Sequence, residues 1–381
     1  MITPWFKEEH EIFRKTVRKF METEFAPHAD DWEEKKDFPN WVFKRAGEMG
    51  FIGLTYPEEV GGSGCDTFYK AVFCEELPRS ESGSVNMALL VQSDMASPPI
   101  NILGTQEQKE EYLVPMIKGD KIGALGITEP NAGSDVAAMR TTARRDGDYY
   151  RINGTKLFIT NGARADVITL AAKTDPDQGY HGISLFLVDT DLPGFSVSRK
   201  LEKMGMHASD TTELRFDEVR VHKSKLLGRE NQGFYEVMIN FQGERLVAAL
   251  TAAAGASYVL DKTITYIKER EVFGRPLSKF QITRHKVVDM ICEIEAVRQY
   301  LYYCCWLFDQ NRNPAREVSI AKVMATEMSV KVIHQCLQLH GGYGYMKEFK
   351  IERAYRDARL GTIGGGATEV LKEVIGRMEG L

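Results

Sequence analysis

Nowhere in the 381 residues do eighteen apolar residues run together, so no segment reads as a membrane-spanning helix. The first fifteen residues, MITPWFKEEHEIFRK, already have the acid content and spacing of an amphipathic helix; they do not resemble a signal or transit peptide, and a cytoplasmic protein is expected. Charge of one sign is also missing. Forty-nine Lys and Arg are interspersed with 54 Asp and Glu for a net charge of −5, so no basic field exists to hold nucleic acid or an anionic membrane. The six cysteines (Cys65, Cys74, Cys292, Cys304, Cys305 and Cys336) show neither C-x-x-C nor Cys/His spacing, which argues against a metal site and for reduced, structural thiols. Internal repeats and low-complexity segments are absent. Proline is absent from one long stretch, Gly233 to Arg270, and that stretch organises the rest.

Rich in Ala, Leu, Val and Tyr, this proline-free segment reads as one long helix. Helical spacing surrounds Glu244 with Val237, Asn240, Phe241, Val247, Ala248 and Thr251, so its carboxylate faces a largely apolar surface. Burial disfavours a charged carboxylate and raises its pKa toward the range a general base needs. The competing reading is an ordinary helix glutamate, solvated or balanced by Arg245.

Residues 5 to about 120 have helical patterning broken by Pro and Gly clusters, and TYPEEVGGSGCD reads as a glycine-rich connection between helices. From about Lys121 the period changes to two. Short strand-like runs separated by Asp146-Gly147, Asn153-Gly154 and Asn161-Gly162 predict a compact antiparallel β domain. From about Gly233 helices return, too apolar to be exposed on all faces. The expected architecture is mainly α with a central β domain: a helical domain over 1–120, a β domain over 121–230 and a C-terminal four-helix bundle over 231–381. Within the β region, Ile127-Thr128-Glu129-Pro130-Asn131-Ala132-Gly133-Ser134-Asp135 offers backbone N–H groups and hydroxyls suited to a polar cofactor edge or phosphate, unless it is a plain hairpin turn. Phe158 and Thr160, two apart in one strand, are expected on one face, where a flat ring could pack.

ITEPNAGSD, KLFITNG, EKMGMHASDTTELRFDEVRVHKSKLLG, EREVFGRPLSKFQ, QLHGGYGY and YRDAR stand in the order and spacing of the acyl-CoA dehydrogenase flavoprotein family, which the chain resembles over essentially its whole length. The resemblance implies FAD between the β domain and the C-terminal bundle. Leu125, Ile127, Thr128, Gly133 and Ser134 match positions edging the flavin ring and pyrophosphate, and Phe158 and Thr160 match the aromatic and hydroxyl beside the ring. Several relatives have tryptophan where Phe158 stands. Arg270, Phe273, Gln281, Gln338, Gly341, Gly342 and Thr368 match further cofactor positions; those of the EREVFGRPLSKFQ and QLHGGYGY motifs would hold the adenine dinucleotide across a subunit interface. An oligomer is therefore implied, usually a tetramer. From the residues alone, helix-end solvation would account for Arg270 and Gln281.

Many relatives carry their catalytic glutamate just after the YRDAR run, where this chain has Gly365 within Gly364-Gly365-Gly366. The chain resembles instead the branch with isovaleryl- and long-chain acyl-CoA dehydrogenases, whose base lies in an E-R-L motif of the long helix, here Glu244-Arg245-Leu246. By resemblance, the backbone N–H of Gly365 would hold the thioester carbonyl, and Ser134, Arg245 and Gly364 would line the acyl-CoA. An electron-transferring flavoprotein would be the oxidant. The glycine run suggests room for a bulky or branched acyl group. Glu369, the remaining acid nearby, is expected to cap its helix or complement the dipole. Asn86 stands where dicarboxylate-specific relatives have arginine, which disfavours a dicarboxylic substrate. Asp94 is expected to be solvated at the surface in preference to serving a polar or cyclic acyl group. Two alternatives stay open: a flavin oxidase or monooxygenase on the same fold, and a flavin-binding protein without turnover.

Overall fold

The computed structural model describes residues 4–381. The first third is helical because its apolar residues recur at helical spacing and polar side chains close the helix starts. Thr67–Glu76 begins with the Asp66 carboxylate accepting from the Phe68 N–H, and Gly83–Leu90 with the Ser82 hydroxyl accepting from the Val85 N–H. Past Leu90 the helix widens into a π-helical turn over Val91–Ala96, a geometry enriched near functional sites.

The middle region contains strands β1 (Gly123–Gly126), β2 (Thr142–Asp146), β3 (Tyr149–Thr160), β4 (Val167–Lys173), β5 (Ile183–Asp189), β6 (Phe195–Lys200), β7 (Thr211–His222) and β8 (Leu226–Leu227). They form one sheet in the order β6-β7-β3-β2-β4-β5-β8, with β1 also beside β4. Most strand pairs are antiparallel, as expected, but β1 pairs with β4 in parallel, Gly123 opposite Val167, and β2 meets β4 in parallel at Thr142 and Lys173. Runs from Ile168 to Ala172 and from Ser184 to Val188 are buried on both faces, which removes the alternation that distinguishes an antiparallel surface strand. Asn153-Gly154 is likewise no turn. β3 passes straight through it, paired with β7 across a register shift, because Gly154 takes φ +153° where an added Cβ would lie 2.3 Å from Thr141 Oγ1.

The C-terminal region is built on Gly233–Glu269, 37 residues of unbroken helix, packed against Gln281–Asp309 and Ala315–His340. Leu246, Val247, Leu250, Ala253 and Ala256 of the long helix share one core with Phe25, Leu77 and Leu89 of the N-terminal helices. Each large side chain buried there contributes about 1.5–3 kcal/mol. The helix's first turns pack elsewhere: Val237 joins Ile127, Leu185 and Ile100 in a second core between the sheet and the helices. The long helix therefore crosses from the sheet to the bundle, and Glu244 lies near the crossing. Among the described residues no helix is long and apolar enough to cross a membrane. All six cysteines are free thiols; Cys74, Cys304, Cys305 and Cys336 are buried, but Cys292 is exposed, contrary to its expected structural role.

Candidate active site

Glu244 as a residue is half-buried, yet its Oε2 is out of reach of solvent and has no hydrogen-bond partner. Desolvation pushes its carboxyl up to about 7, against the opposing pull of the Arg245 and Lys322 cations. Facing it is the glycine run. Gly365 has φ +62°, a left-handed conformation that favours glycine, and a Cβ placed there would stand 3.3 Å from Glu244 Oε1. Glu244, from a different helix, thus places a carboxylate beside Gly365. The next glycine's carbonyl is held: Lys322, fully buried, donates from Nζ to the Gly366 oxygen at 2.6 Å. Arg245 turns its buried, unpartnered Nε toward the same loop, 3.8 Å from where a Gly366 Cβ would be. Burial lowers the Arg245 pKa, and burial together with Arg245 lowers that of Lys322 to about 8.

On the sheet side, the loop over 128–135 is fixed from beneath by an ion pair the sequence reading missed. Lys156, fully buried, donates to Glu129 Oε1 at 2.8 Å and to the Ile127 carbonyl at 3.0 Å, while Glu129 also accepts the Arg140 and Thr141 N–H groups. Burial lowers the Lys156 pKa to about 8, partly offset by Glu129. The Leu157 N–H donates to the Thr128 carbonyl at 2.8 Å and docks the loop on β3. Gly133 and Ser134 are exposed at the loop tip, whereas Ile127 is buried and Leu125 and Thr128 are half-buried. One detail departs from expectation. Phe158 has φ +62° within a register shift of β3, so strict alternation does not carry it onto one face with Thr160. Phe158 is left 63 % exposed, an unusual position for a large ring and one suited to covering by a flat ligand.

Thr160 and Thr368 lie on two cavities that share Arg359 and Ile363. The smaller, about 150 Å³, is lined by Thr160, Met206 and Leu360; the larger, about 600 Å³, by His334, Lys331, Lys372 and Thr368. Thr368 opens the helix Thr368–Met378, and its hydroxyl is buried without a partner. A helix N-terminus and an unsatisfied hydroxyl offer donors to an anionic group, beside Arg359 and the lysines Lys331 and Lys372, which also pair with Glu293 and Glu327, and the run back to Thr160 suits an elongated molecule. A dinucleotide fits these features. Glu369, in the first turn of the same helix, is exposed, and no side chain caps that helix; the dipole part of the expectation stands and the capping part does not.

The second set of cofactor candidates is elsewhere. Arg270 ends the long helix and lays its guanidinium over Tyr343 at 5.4 Å, which joins the β9–β10 hairpin (Glu271–Val272 and Arg275–Pro276) to the QLHGGYGY segment. Phe273 at the hairpin tip is 97 % exposed, and Gln281, Gln338, Gly341 and Gly342 are exposed too. Twenty-six residues of helix separate Glu244 from Arg270, or ~39 Å at 1.5 Å per residue. Within one chain these residues do not meet at the site around Glu244. Asp94 is a correction: it is 4 % exposed, lies in the π-helical turn, and pairs with Lys70 at 2.5 Å and with the Ser93 hydroxyl. Asn86 is buried and engaged by the Ser80 hydroxyl and the Leu77 carbonyl.

A helical–β–helical fold with a buried carboxylate beside a glycine loop and two adjoining cavities is the arrangement of flavin-dependent dehydrogenases of thioesters. The chain belongs to the acyl-CoA dehydrogenase family. The models for its N-terminal, middle and C-terminal domains match residues 7–120, 124–219 and 231–379. The mitochondrial long-chain specific acyl-CoA dehydrogenase of Mus musculus is 40 % identical over 98 % of this chain and 86 % of its own length. An acyl-CoA dehydrogenase structure from Geobacillus kaustophilus superposes with a TM-score of 0.96 at 41 % identity, covering both chains completely. A glutaryl-CoA dehydrogenase from Mycobacterium smegmatis, solved with FADH2, superposes with a TM-score of 0.93 at 31 % identity over 98 % of this chain and 95 % of that one. The protein is an oxidoreductase of the CH-CH group with FAD as its cofactor.

Proposed function

We propose that the chain dehydrogenates an acyl-CoA thioester to the trans-2-enoyl-CoA with Glu244 as the α-proton base. The observation that carries this reading is the unpartnered carboxylate of Glu244 over Gly365, raised to about 7 by burial. With its pKa there, the carboxyl is about half deprotonated at neutral pH, and the charged form is basic enough to take a carbon-bound proton. The Gly365 N–H holds the thioester carbonyl and acidifies the α-carbon. The C–H electron pair left behind becomes the new C=C bond, while the β-hydrogen departs with its own pair. When bound, FAD supplies the acceptor for that pair. Leu125, Ile127, Thr128, Gly133, Ser134, Phe158, Thr160 and Thr368 hold the cofactor; Ser134, Arg245 and Gly364 orient the thioester. Arg270, Phe273, Gln281, Gln338, Gly341 and Gly342 serve the cofactor of a neighbouring subunit in a homotetramer. Electrons leave to an electron-transferring flavoprotein. With no side chains at 364–366, the floor beneath the α-carbon has room for a branched or bulky acyl group.

The test is product identification. Holoprotein incubated with straight-chain, branched and cyclic acyl-CoA thioesters and an electron-accepting dye should give, for one class, a thioester lighter by two hydrogens. Rapid consumption of oxygen in place of the dye, or an oxygenated product, would favour an oxidase or monooxygenase instead.

A further inference from the structure

Lys322 is the one buried cation near Glu244 that comes from another helix, Ala315–His340, and it lies outside every motif discussed so far. Burying an ammonium costs several kcal/mol unless it has a strong partner, so a lysine with no exposed surface calls for a reason. Its hydrogen bond to the Gly366 carbonyl is short, 2.6 Å. That carbonyl lies in the Gly366–Ala367 peptide, two peptide units on from the Gly364–Gly365 peptide that carries the proposed thioester-binding N–H, so the ammonium anchors the loop close to that donor. The glycines at 364–366 cannot anchor this loop through side chains of their own.

We propose that Lys322 is a positioning residue for the dehydrogenation: its ammonium pins the Gly365–Gly366 loop to the Ala315–His340 helix and so sets the distance between Glu244 and the thioester carbonyl. The inference rests on the reading of Glu244 as the base. Glu244 feels two cations, Arg245 from its own helix and Lys322 from the facing one. The loop over 364–367 brings no titratable side chain. Asp94 and Lys70, on the N-terminal helices packed against the long helix, are paired with each other. Lys322 itself is depressed to about 8 by burial and by Arg245, so in mildly alkaline solution its charge is lost and the anchor weakens from a charge-assisted to a neutral hydrogen bond.

Three variants test this side by side: Lys322→Met, which removes donor and charge at similar length, Lys322→Gln, which keeps a donor, and Glu244→Gln. Flavin content and melting temperature establish that each is folded and loaded. For Lys322→Met we expect flavin reduction by the thioester to slow ~100-fold, the effect of a misplacement of about 1 Å, with thioester affinity little changed. Its acidic limb moves to higher pH because Glu244 has lost a cation, and its alkaline limb near 8 disappears. Amide exchange over 364–367 speeds up, a readout independent of turnover. Lys322→Gln should recover part of the rate without restoring the pH limbs. A Lys322→Met protein with wild-type rate, limbs and exchange, beside an inactive Glu244→Gln, overturns the positioning role and leaves the base assignment standing. An active Glu244→Gln overturns both.

Discussion

At the scale of single residues, Glu244 is a carboxylate held where it is expensive to keep charged. The pKa of Glu244 is raised in the folded state, so between about 4.5 and 7 the folded chain holds a proton that the unfolded chain has lost. Stability therefore falls as pH rises through that window and levels off above it, a cost of about 3 kcal/mol for a shift of this size. Glu244→Gln should thus be more stable than wild type at pH 8, with the gap closing toward pH 5; thermal melts across that range check it, and a pH-independent difference would contradict it. Gly365→Ala should lose activity and about 1–2 kcal/mol of stability, since alanine pays for the left-handed backbone and crowds the Glu244 carboxylate, measurable by denaturant melts. Much of this was legible beforehand. The 3.6 period placed apolar neighbours around Glu244 because they lie within seven residues of it. Lys322, 78 positions further on, contributes a contact that no local pattern encodes.

At the scale of elements, buried polar pairs fix the loops. Lys156→Met would leave the Glu129 carboxylate buried without its cation, and should cost about 3–5 kcal/mol in denaturant melts. Thr368→Val removes a hydroxyl that has no partner within the chain. The apoprotein should be as stable as wild type, whereas FAD affinity should drop roughly 5–10-fold, the worth of one hydrogen bond; titration of apoprotein with FAD decides it. Sequence patterning succeeded for strands and helices as types and failed where geometry is irregular. The bulge at Phe158, the uninterrupted passage of β3 through Asn153-Gly154 and the parallel seat of β1 all depend on pairing partners distant in sequence. Asp94 read as a surface acid for a similar reason, since its partner Lys70 sits on another helix.

At the scale of the whole molecule, the residues proposed to hold the cofactor fall into two sets, one around Glu244 and one at the C-terminal end of the long helix. The ~39 Å between Glu244 and Arg270 supports the proposal that a complete cofactor site takes one set from each of two chains in a symmetric oligomer. Homo-oligomers of Glu244→Gln and of Arg270→Ala should then each be impaired, while a mixed pair regains roughly half the wild-type activity because one of its two sites is intact, or about a quarter for a statistical 1:1 co-assembly. No recovery on mixing would place both sets in one chain's site. The order of the layers was legible because periodicity switches twice along the chain, but the sharing of a core between the first and last helices was not. The central claim is that Glu244 takes the α-proton, and anaerobic flavin bleaching by acyl-CoA thioesters tests it most directly. Wild-type protein should bleach with its own substrate class, and Glu244→Gln should bind the same thioester yet bleach ~10²–10⁴-fold more slowly. Bleaching of the variant at the wild-type rate would contradict the claim and leave Glu244 a structural acid.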